Sequence, residues 1–227
     1  MREVTVKELF GHAQASLAYE ILLGYTYPWE VMDALAEHIR AIGKTLHNSD
    51  YERVGEDVWI SRTASVSSSA VVMGPAIIGD GSEVRQSAFL RGGTLVGRGC
   101  VVGNSTELKN CILFDEVQVP HFNYVGDAIL GFHAHLGAGA VTSNVKSDRT
   151  PISVRLGERV IQTGRKKLGA MLGDFVEIGC NSVLNPGTVI GRESTVYPLC
   201  SVRGYLPPRH ILKGDGTVVK KLSLREE

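Results

Sequence analysis

The sequence has little of what marks the specialised protein classes. Its four cysteines stand far apart, at Cys100, Cys111, Cys180 and Cys200, with no CxxC pair. They are too sparse for a disulfide scaffold and read as the reduced thiols of a cytoplasmic protein. Aromatic residues make up only 7% of the chain, so aliphatic side chains must fill its interior. Neither sign of charge dominates: 24 Lys and Arg face 24 Asp and Glu. That balance gives no electrostatic reason to expect nucleic acid or a membrane surface as partner. No apolar run approaches the roughly 20 residues of a membrane-spanning helix. The opening MREVTVKELFGH lacks the apolar centre of a signal peptide. What is present is a composition of 43% hydrophobic and 21% charged residues, ordinary for a soluble chain, with 26 glycines. Many glycines and few rings suit tight turns around a narrow core.

A period of six runs through most of the chain. Apolar residues recur at Ile60, Val66, Val72, Ile78, Val84, Leu90, Val96, Val102, Leu108 and Phe114. Four residues after most of them stands a small one: Ala64, Ala70, Ala76, Ser82, Ala88, Thr94, Cys100 and Thr106. Only the last two units, with Ile112 and Gln118, break that rule. The pattern returns at Leu172, Ile178, Leu184, Ile190, Val196 and Val202. A helix has period 3.6 and a half-buried strand period 2, so neither fits. Hexapeptide repeats predict an all-β fold, a left-handed parallel β-helix with one repeat to each face and three faces to each coil. The large residue fills the prism interior, and the small one sits near a corner. Glycines after the apolar residue, such as Gly79, Gly97 and Gly103, permit the turn.

The rest of the chain departs from this period. Residues 1–50 read as an N-terminal helical segment. Thr5 to Glu8 has the form of a capping box, followed by Leu9, Phe10, Ala13, Leu17 and Ile21 at helical spacing as far as Gly24. A second helix starts at Pro28, carries Val31, Met32, Leu35, Ile39 and Ile42, and stops at Gly43. The pair either caps the first coil or binds a partner. Residues 51–206 form the β-helix, with 47–56 as connector. Residues 143–170 break the phase and read as a protruding loop or hairpin, a place where function often resides. Residues 207–227, opening with Pro207-Pro208, read as a tail that leaves the coil.

Three groups of residues carry chemistry. Arg91 and Lys109 stand three repeats apart, hence one above the other on one face. Stacked cations repel unless an anion joins them, and phosphate or carboxylate would do so; two extended side chains in water are the plain alternative. His121 lies near the phase slip and is a natural base near neutral pH, although a single histidine is often structural. Glu107 is close to one coil away and could orient its imidazole. His133 and His135 could share a face, but a metal site needs a third ligand, for which only His121 offers itself. No metal is assigned.

The run Val102-Gly103-Asn104 … Glu107-Leu108-Lys109 … His121-Phe122-Asn123-Tyr124-Val125-Gly126-Asp127-Ala128, continued by Leu136-Gly137-Ala138-Gly139 and Thr142-Ser143-Asn144, resembles a known family. It is similar to the acetyltransferase domain of bifunctional N-acetylglucosamine-1-phosphate uridyltransferases. Thr163 to Ala170, before Gly173-Asp174, looks most like the archaeal sugar-1-phosphate nucleotidylyltransferase branch. The resemblance covers about residues 56–204. It implies acetyl-CoA-dependent N-acetylation of glucosamine 1-phosphate, with His121 as base and Glu107 as its orienting carboxylate. It further implies sugar-phosphate contacts from Arg91, Lys109, Tyr124, Asn144 and Lys167, acetyl-CoA contacts at Ala138 and Cys180, and a homotrimer with sites at subunit junctions. Uridylyl transfer is not expected, because nothing here resembles the nucleotide loop. Two departures bear on the acceptor. His135 stands where the family has a substrate-contacting asparagine, and the loop between Asn144 and Gly173 is longer than in bacterial members. These departures leave room for another aminosugar phosphate, or a nucleotide-linked aminosugar, as acceptor. A non-catalytic sugar-phosphate or nucleotide-sugar binding or regulatory protein related to the UDP-N-acetylglucosamine pyrophosphorylases is the alternative reading.

Overall fold

A computed structural model describes residues 2–12 and 16–222 of the chain. It has the fold class that the period of six predicts, a left-handed parallel β-helix of about 9 turns. On the first face Val58–Ser61, Ala76–Ile78 and Thr94–Val96 stack in parallel register. On the second, Ser65–Val66, Glu83–Val84 and Val101–Asn104 do so. On the third, Val71–Val72 and Phe89–Leu90 lead to the start of Glu107–Leu113. Glu107–Leu113 and Tyr124–Leu130 turn the corner from the third face to the first as continuous strands. Ile78, Val84, Leu90, Val96, Val102 and Leu108 are buried inside the prism. The small corner residues are more than space-savers. The Ser82 hydroxyl donates to Gly97 O (2.7 Å) and accepts from Cys100 N–H (2.9 Å), and Thr106 Oγ1 donates to Val119 O (3.0 Å). They satisfy backbone groups that the turns leave unpaired.

The phase slips earlier than the sequence suggests. Ile112 lies opposite Leu95, and Ile129 lies opposite Ile112, so each of these coils is one residue short of three full repeats. The corner that is Gly92-Gly93 in one coil is Asn110 alone in the next, with a left-handed φ of 47°. Leu113 therefore replaces Phe114 as the interior residue. Phe114 takes the corner position, and its buried ring stacks on Phe10 at 5.1 Å.

The N-terminal segment is more broken than its spacing predicts. Val6–Leu9 and Leu17–Leu22 are separate short helices, and Ala13 lies outside the described residues. The capping box does not form: the Thr5 hydroxyl donates to Arg2 O (2.9 Å). Pro28–Asp33 is a 3₁₀ turn, entered where the Glu30 carboxylate accepts from Thr26 and Tyr27 N–H (2.9 Å each). The next helix, Leu35–Thr45, runs through Gly43 rather than stopping there. Gly43 is needed for contact instead, since a β-carbon would sit 2.4 Å from the Trp59 indole.

This segment does not cap the first coil, whose Ile60, Val66 and Val72 stay half-buried. It lies across the first face. Trp59, Ile77, Leu95, Ile112, Ile129, Met171 and Val189 form an outward ladder there in unbroken register. All seven are buried. Leu35–Thr45 contacts three of the ladder's strands and the 3₁₀ turn a fourth. Each side chain so covered contributes about 1.5–3 kcal/mol. Polar ties fix the segment in place: Arg40 to Asp57 (2.7 Å), His12 N–H to Asp174 (2.8 Å) and the Ser16 hydroxyl to Asp115 (3.0 Å).

Residues 143–170 contain a hairpin, Ser153–Leu156 with Arg159–Gln162, but it is docked rather than protruding. Ile152, Val154 and Leu156 are buried, and the backbone comes so close to Gly187 and Gly204 that β-carbons there would lie 2.9 Å from Ser153 O and 3.0 Å from Arg155 O. Arg159 and Arg165 tie this region to Glu3 and Asp33 (2.6 Å each). Beyond residue 206 the coil continues. His210–Leu212 pairs in parallel with Thr195–Val196 and antiparallel with Val218–Lys220.

All four cysteines are free thiols. Burial pushes Cys100 and Cys111 up to about 12 and also raises Cys200, whereas Cys180 is exposed. The folded chain should therefore react with one equivalent of a thiol reagent at pH 8, and with four in denaturant. Titration with a chromogenic disulfide measures both numbers. Among the described residues, no helix is long and apolar enough to cross a membrane.

Candidate functional site

The corner at residues 122–123 divides the site residues into two groups. His121 ends the strand Gln118–His121 on the second face, opposite Asn104. Tyr124 opens the next strand on the third face, opposite Glu107. Between them, Phe122 takes a φ of 51° and Asn123 is buried. The Asn123 carboxamide oxygen accepts from His121 N–H (3.1 Å), while its Nδ2 donates to Gly137 O (2.9 Å) and Ala140 O (3.1 Å). Asn123 thus fixes the backbone of His121 to the following coil. In the sequence it had no role beyond membership of the motif.

On the second face, His121, His135, Ala138 and Cys180 line a groove of about 430 Å³ with Arg85 and Gln118. The His121 residue is exposed. The Ala138 carbonyl accepts from Asn181 N–H (2.8 Å), beside Cys180. His135 shares this groove with His121, whereas His133 does not line it. Nδ1 of His133 meets Glu116 at 3.1 Å, and Nδ1 of His135 meets Glu177 at 2.8 Å. Among the described residues no three His, Cys, Asp or Glu side chains are grouped to hold a metal.

The third face gathers Arg91, Lys109, Tyr124, Asn144 and Lys167 near the edge it shares with the first. Arg91 stands one coil from Lys109, its N–H donating to Leu108 O (2.8 Å). Carboxylates already accompany both cations: Arg91 Nη1 donates to Glu107 (2.8 Å), and Lys109 Nζ lies 3.8 Å from Asp127. Glu107 is therefore engaged with Arg91 and does not touch His121. The stretch from Glu107 to His121 falls short of a full coil, which places Glu107 around the corner rather than alongside. The hydrogen bond to Glu107 in turn raises the Arg91 pKa.

Asp127 is the hub of this edge. It is 3% exposed, and it accepts from Asn110 Nδ2 (2.8 Å) and from Asn144 Nδ2. Asn144 also donates to the Tyr124 hydroxyl (3.2 Å). Burial, then the Asp127 and Glu107 charges, push the Tyr124 pKa up, so the phenol keeps its proton. Lys167 is exposed and is held nearby by its neighbours, Leu168 N–H to Asn144 O (3.0 Å) and Gly169 N–H to Asp127 O (2.8 Å). The only sequence signal for Asp127 was its place in the motif. Asp127→Ala should leave two amide donors without an acceptor and cost about 1–3 kcal/mol, read from a urea titration.

Comparison with known proteins covers the stretch that holds these residues. Residues 72–205 match the family described as the GMPPB C-terminal domain. The chain is 33% identical over 135 residues to the bifunctional protein GlmU of Methanococcus maripaludis strain C5, covering 59% of this chain and 33% of that protein. It is 31% identical over 174 residues to the bifunctional sugar-1-phosphate nucleotidylyltransferase/acetyltransferase of Sulfurisphaera tokodaii, covering 75% and 43%. It is 33% identical over 156 residues to the uncharacterized acetyltransferase YaiX of Escherichia coli O6:K15:H31, covering 69% and 67%. The chain thus spans between a third and a half of the length of its bifunctional relatives. The family match takes in more than half of the chain and every residue from Arg91 to Cys180, so the chain belongs to the GMPPB C-terminal domain family and is a relative of the bifunctional sugar-1-phosphate acetyltransferases.

Proposed function

We propose that this chain is an acetyl-CoA-dependent N-acetyltransferase whose acceptor is an aminosugar phosphate, such as glucosamine 1-phosphate, or a nucleotide-linked aminosugar. One observation carries the reading. An exposed imidazole stands three residues from a cradle of two cations, a phenol and a carboxamide, on either side of one rigid corner. His121 takes a proton from the acceptor amine as its nitrogen attacks the thioester carbonyl. A C–N bond forms, the C–S bond breaks, and the sulfur leaves as the thiol of coenzyme A after protonation. No covalent enzyme intermediate is required. Arg91, Lys109 and Lys167 would bind the phosphate, Tyr124 and Asn144 the sugar, and backbone groups at Ala138 and Cys180 the acetyl-CoA arm. Rigid holding of both reactants removes much of the entropic barrier. Glu107 acts in this scheme through Arg91, whose guanidinium it positions.

The two groups of residues face away from each other across the corner of a single chain. We therefore infer a homotrimer in which the second face of one subunit meets the third face of the next. Sedimentation of the purified chain tests this, with a monomer contradicting it. The function is tested by mixing the chain with acetyl-CoA and a panel of aminosugar phosphates and following free thiol. Release that requires the amine supports the enzyme. Tight sugar-phosphate binding without release across the panel would support the binding protein instead.

A further inference from the structure

The argument that stacked cations call for an anion applies best at a place the sequence did not indicate. Arg91 and Lys109 have carboxylate partners, as do most arginines of the chain. Arg155 and Arg203 have none among the described residues. The docked hairpin brings them together. Arg155 stands on the hairpin strand that docks on the coil, and its backbone is pressed against Gly204, where a β-carbon would lie 3.0 Å from Arg155 O. Both line a cavity of about 470 Å³, with Lys146, Asn185 and Asp148 among the other walls. That size is within the range of pockets for small organic ligands. Asp148 is the one carboxylate there; its Oδ1 accepts from the Thr150 N–H (3.0 Å) and hydroxyl (2.8 Å), and its charge is set against the three cations. Lys146 Nζ donates to Pro151 O (2.9 Å) from the cavity rim. Asn185 Nδ2 donates to Val202 O (2.9 Å) and Ser201 Oγ (3.0 Å), which holds the carboxamide fixed. Three cations from three separate segments, loop, hairpin and coil, therefore face one site with a single carboxylate.

We propose that this cavity binds the phosphate groups of a nucleotide. Its place in the fold suggests how such a ligand relates to the cradle. Lys109, Gly126, Ser143, Asn185 and Arg203 succeed one another in register on the third face. Four inter-coil steps separate Lys109 from Arg203, about 19 Å at the strand spacing of a sheet. A sugar monophosphate held by Lys109 is too short to reach Arg203. Coenzyme A, whose long pantetheine arm separates its nucleotide phosphates from its thioester, can lay those phosphates here while the thioester stays at the corner; a nucleotide-linked aminosugar, whose two phosphates are adjacent, would carry them at this cavity in place of Lys109. The site itself does not depend on the acetyltransferase reading; only the choice between these two sources does.

The test is direct binding by calorimetry at low salt, with 3′,5′-ADP as probe for the coenzyme's nucleotide and UDP and GDP as probes for the acceptor's. The proteins are the full chain, Arg155→Ser with Arg203→Ser, and Lys44→Ala, an exposed lysine of the helix Leu35–Thr45, as a control away from both the cavity and the cradle. Both arginines are exposed, and melting curves of the double variant check its fold. At least tenfold weaker nucleotide binding in the double variant, unchanged in Lys44→Ala, is the expected result. Binding of 3′,5′-ADP alone would assign the cavity to the co-substrate, and binding of UDP or GDP alone to the acceptor. Absence of binding by any of the three, or binding that the double variant leaves intact, overturns the proposal. A chain that binds nucleotide here yet releases no thiol with any amine would retain this site while losing the proposed function.

Discussion

His121→Ala is expected to lower amine-dependent thiol release by about 10²- to 10⁴-fold, the usual contribution of a positioned general base. The imidazole is the only titratable side chain at the end of its strand, next to the corner, and nothing in the cradle can take its place. Arg91 and Lys109 are cations, Glu107 is engaged with Arg91, and Tyr124 keeps its proton. The loss should fall on kcat. Affinity for the sugar phosphate should stay within about twofold, because the phosphate contacts lie on the other face. His121 is exposed, so its truncation leaves no cavity and the melting temperature should barely move. Wild-type turnover in His121→Ala would sink the assignment.

The largest structural effect is expected from Gly103→Ala. A β-carbon at position 103 would lie 1.5 Å from Pro120 O and 1.9 Å from its carbonyl carbon, in the next coil. That neighbour is backbone and cannot rotate aside. Relief requires the two coils to separate, which would break the parallel pairing of Val119 with Val102 and His121 with Asn104. The cost should reach about 3 kcal/mol or more, at or beyond the upper end of ordinary overpacking. For a chain of this size that lowers the melting temperature by about 6–12 °C. Because Pro120 precedes His121, the fraction that remains folded should also lose activity. Gly81→Ala makes a useful comparison. It has open space around its β-carbon but a φ of 64°, so its cost is backbone strain without coil separation, and activity should survive. Equal melting temperatures for wild type and Gly103→Ala would show that the coils are not packed as described.

The strict spacing of Ile60 to Leu108 determined the β-helix. A period of six cannot be buried by a helix or by an ordinary sheet, whereas a three-faced coil buries every repeat. The motif from His121 to Asp127 likewise drew attention to residues on both faces of one edge, because the corner between them is only two residues long. Three matters were left to the tertiary structure. The first is which carboxylate serves which cation. Glu107 looked close to His121 by residue count, but the stretch between them falls short of even the shortened coil, so Glu107 lies around the corner opposite Tyr124 and meets Arg91 instead. The second is the cover of the first face. Ile77, Leu95 and Ile112 stand next to interior residues, so in sequence they look like local excess hydrophobicity; only stacking turns them into a ladder, which the N-terminal helices then bury. The third is the cavity at Arg155 and Arg203. Those residues are far apart along the chain, and they meet because the hairpin docks where Gly187 and Gly204 leave room for its backbone. Local spacing fixed what repeats, whereas contacts between segments of unrelated period were fixed by packing alone.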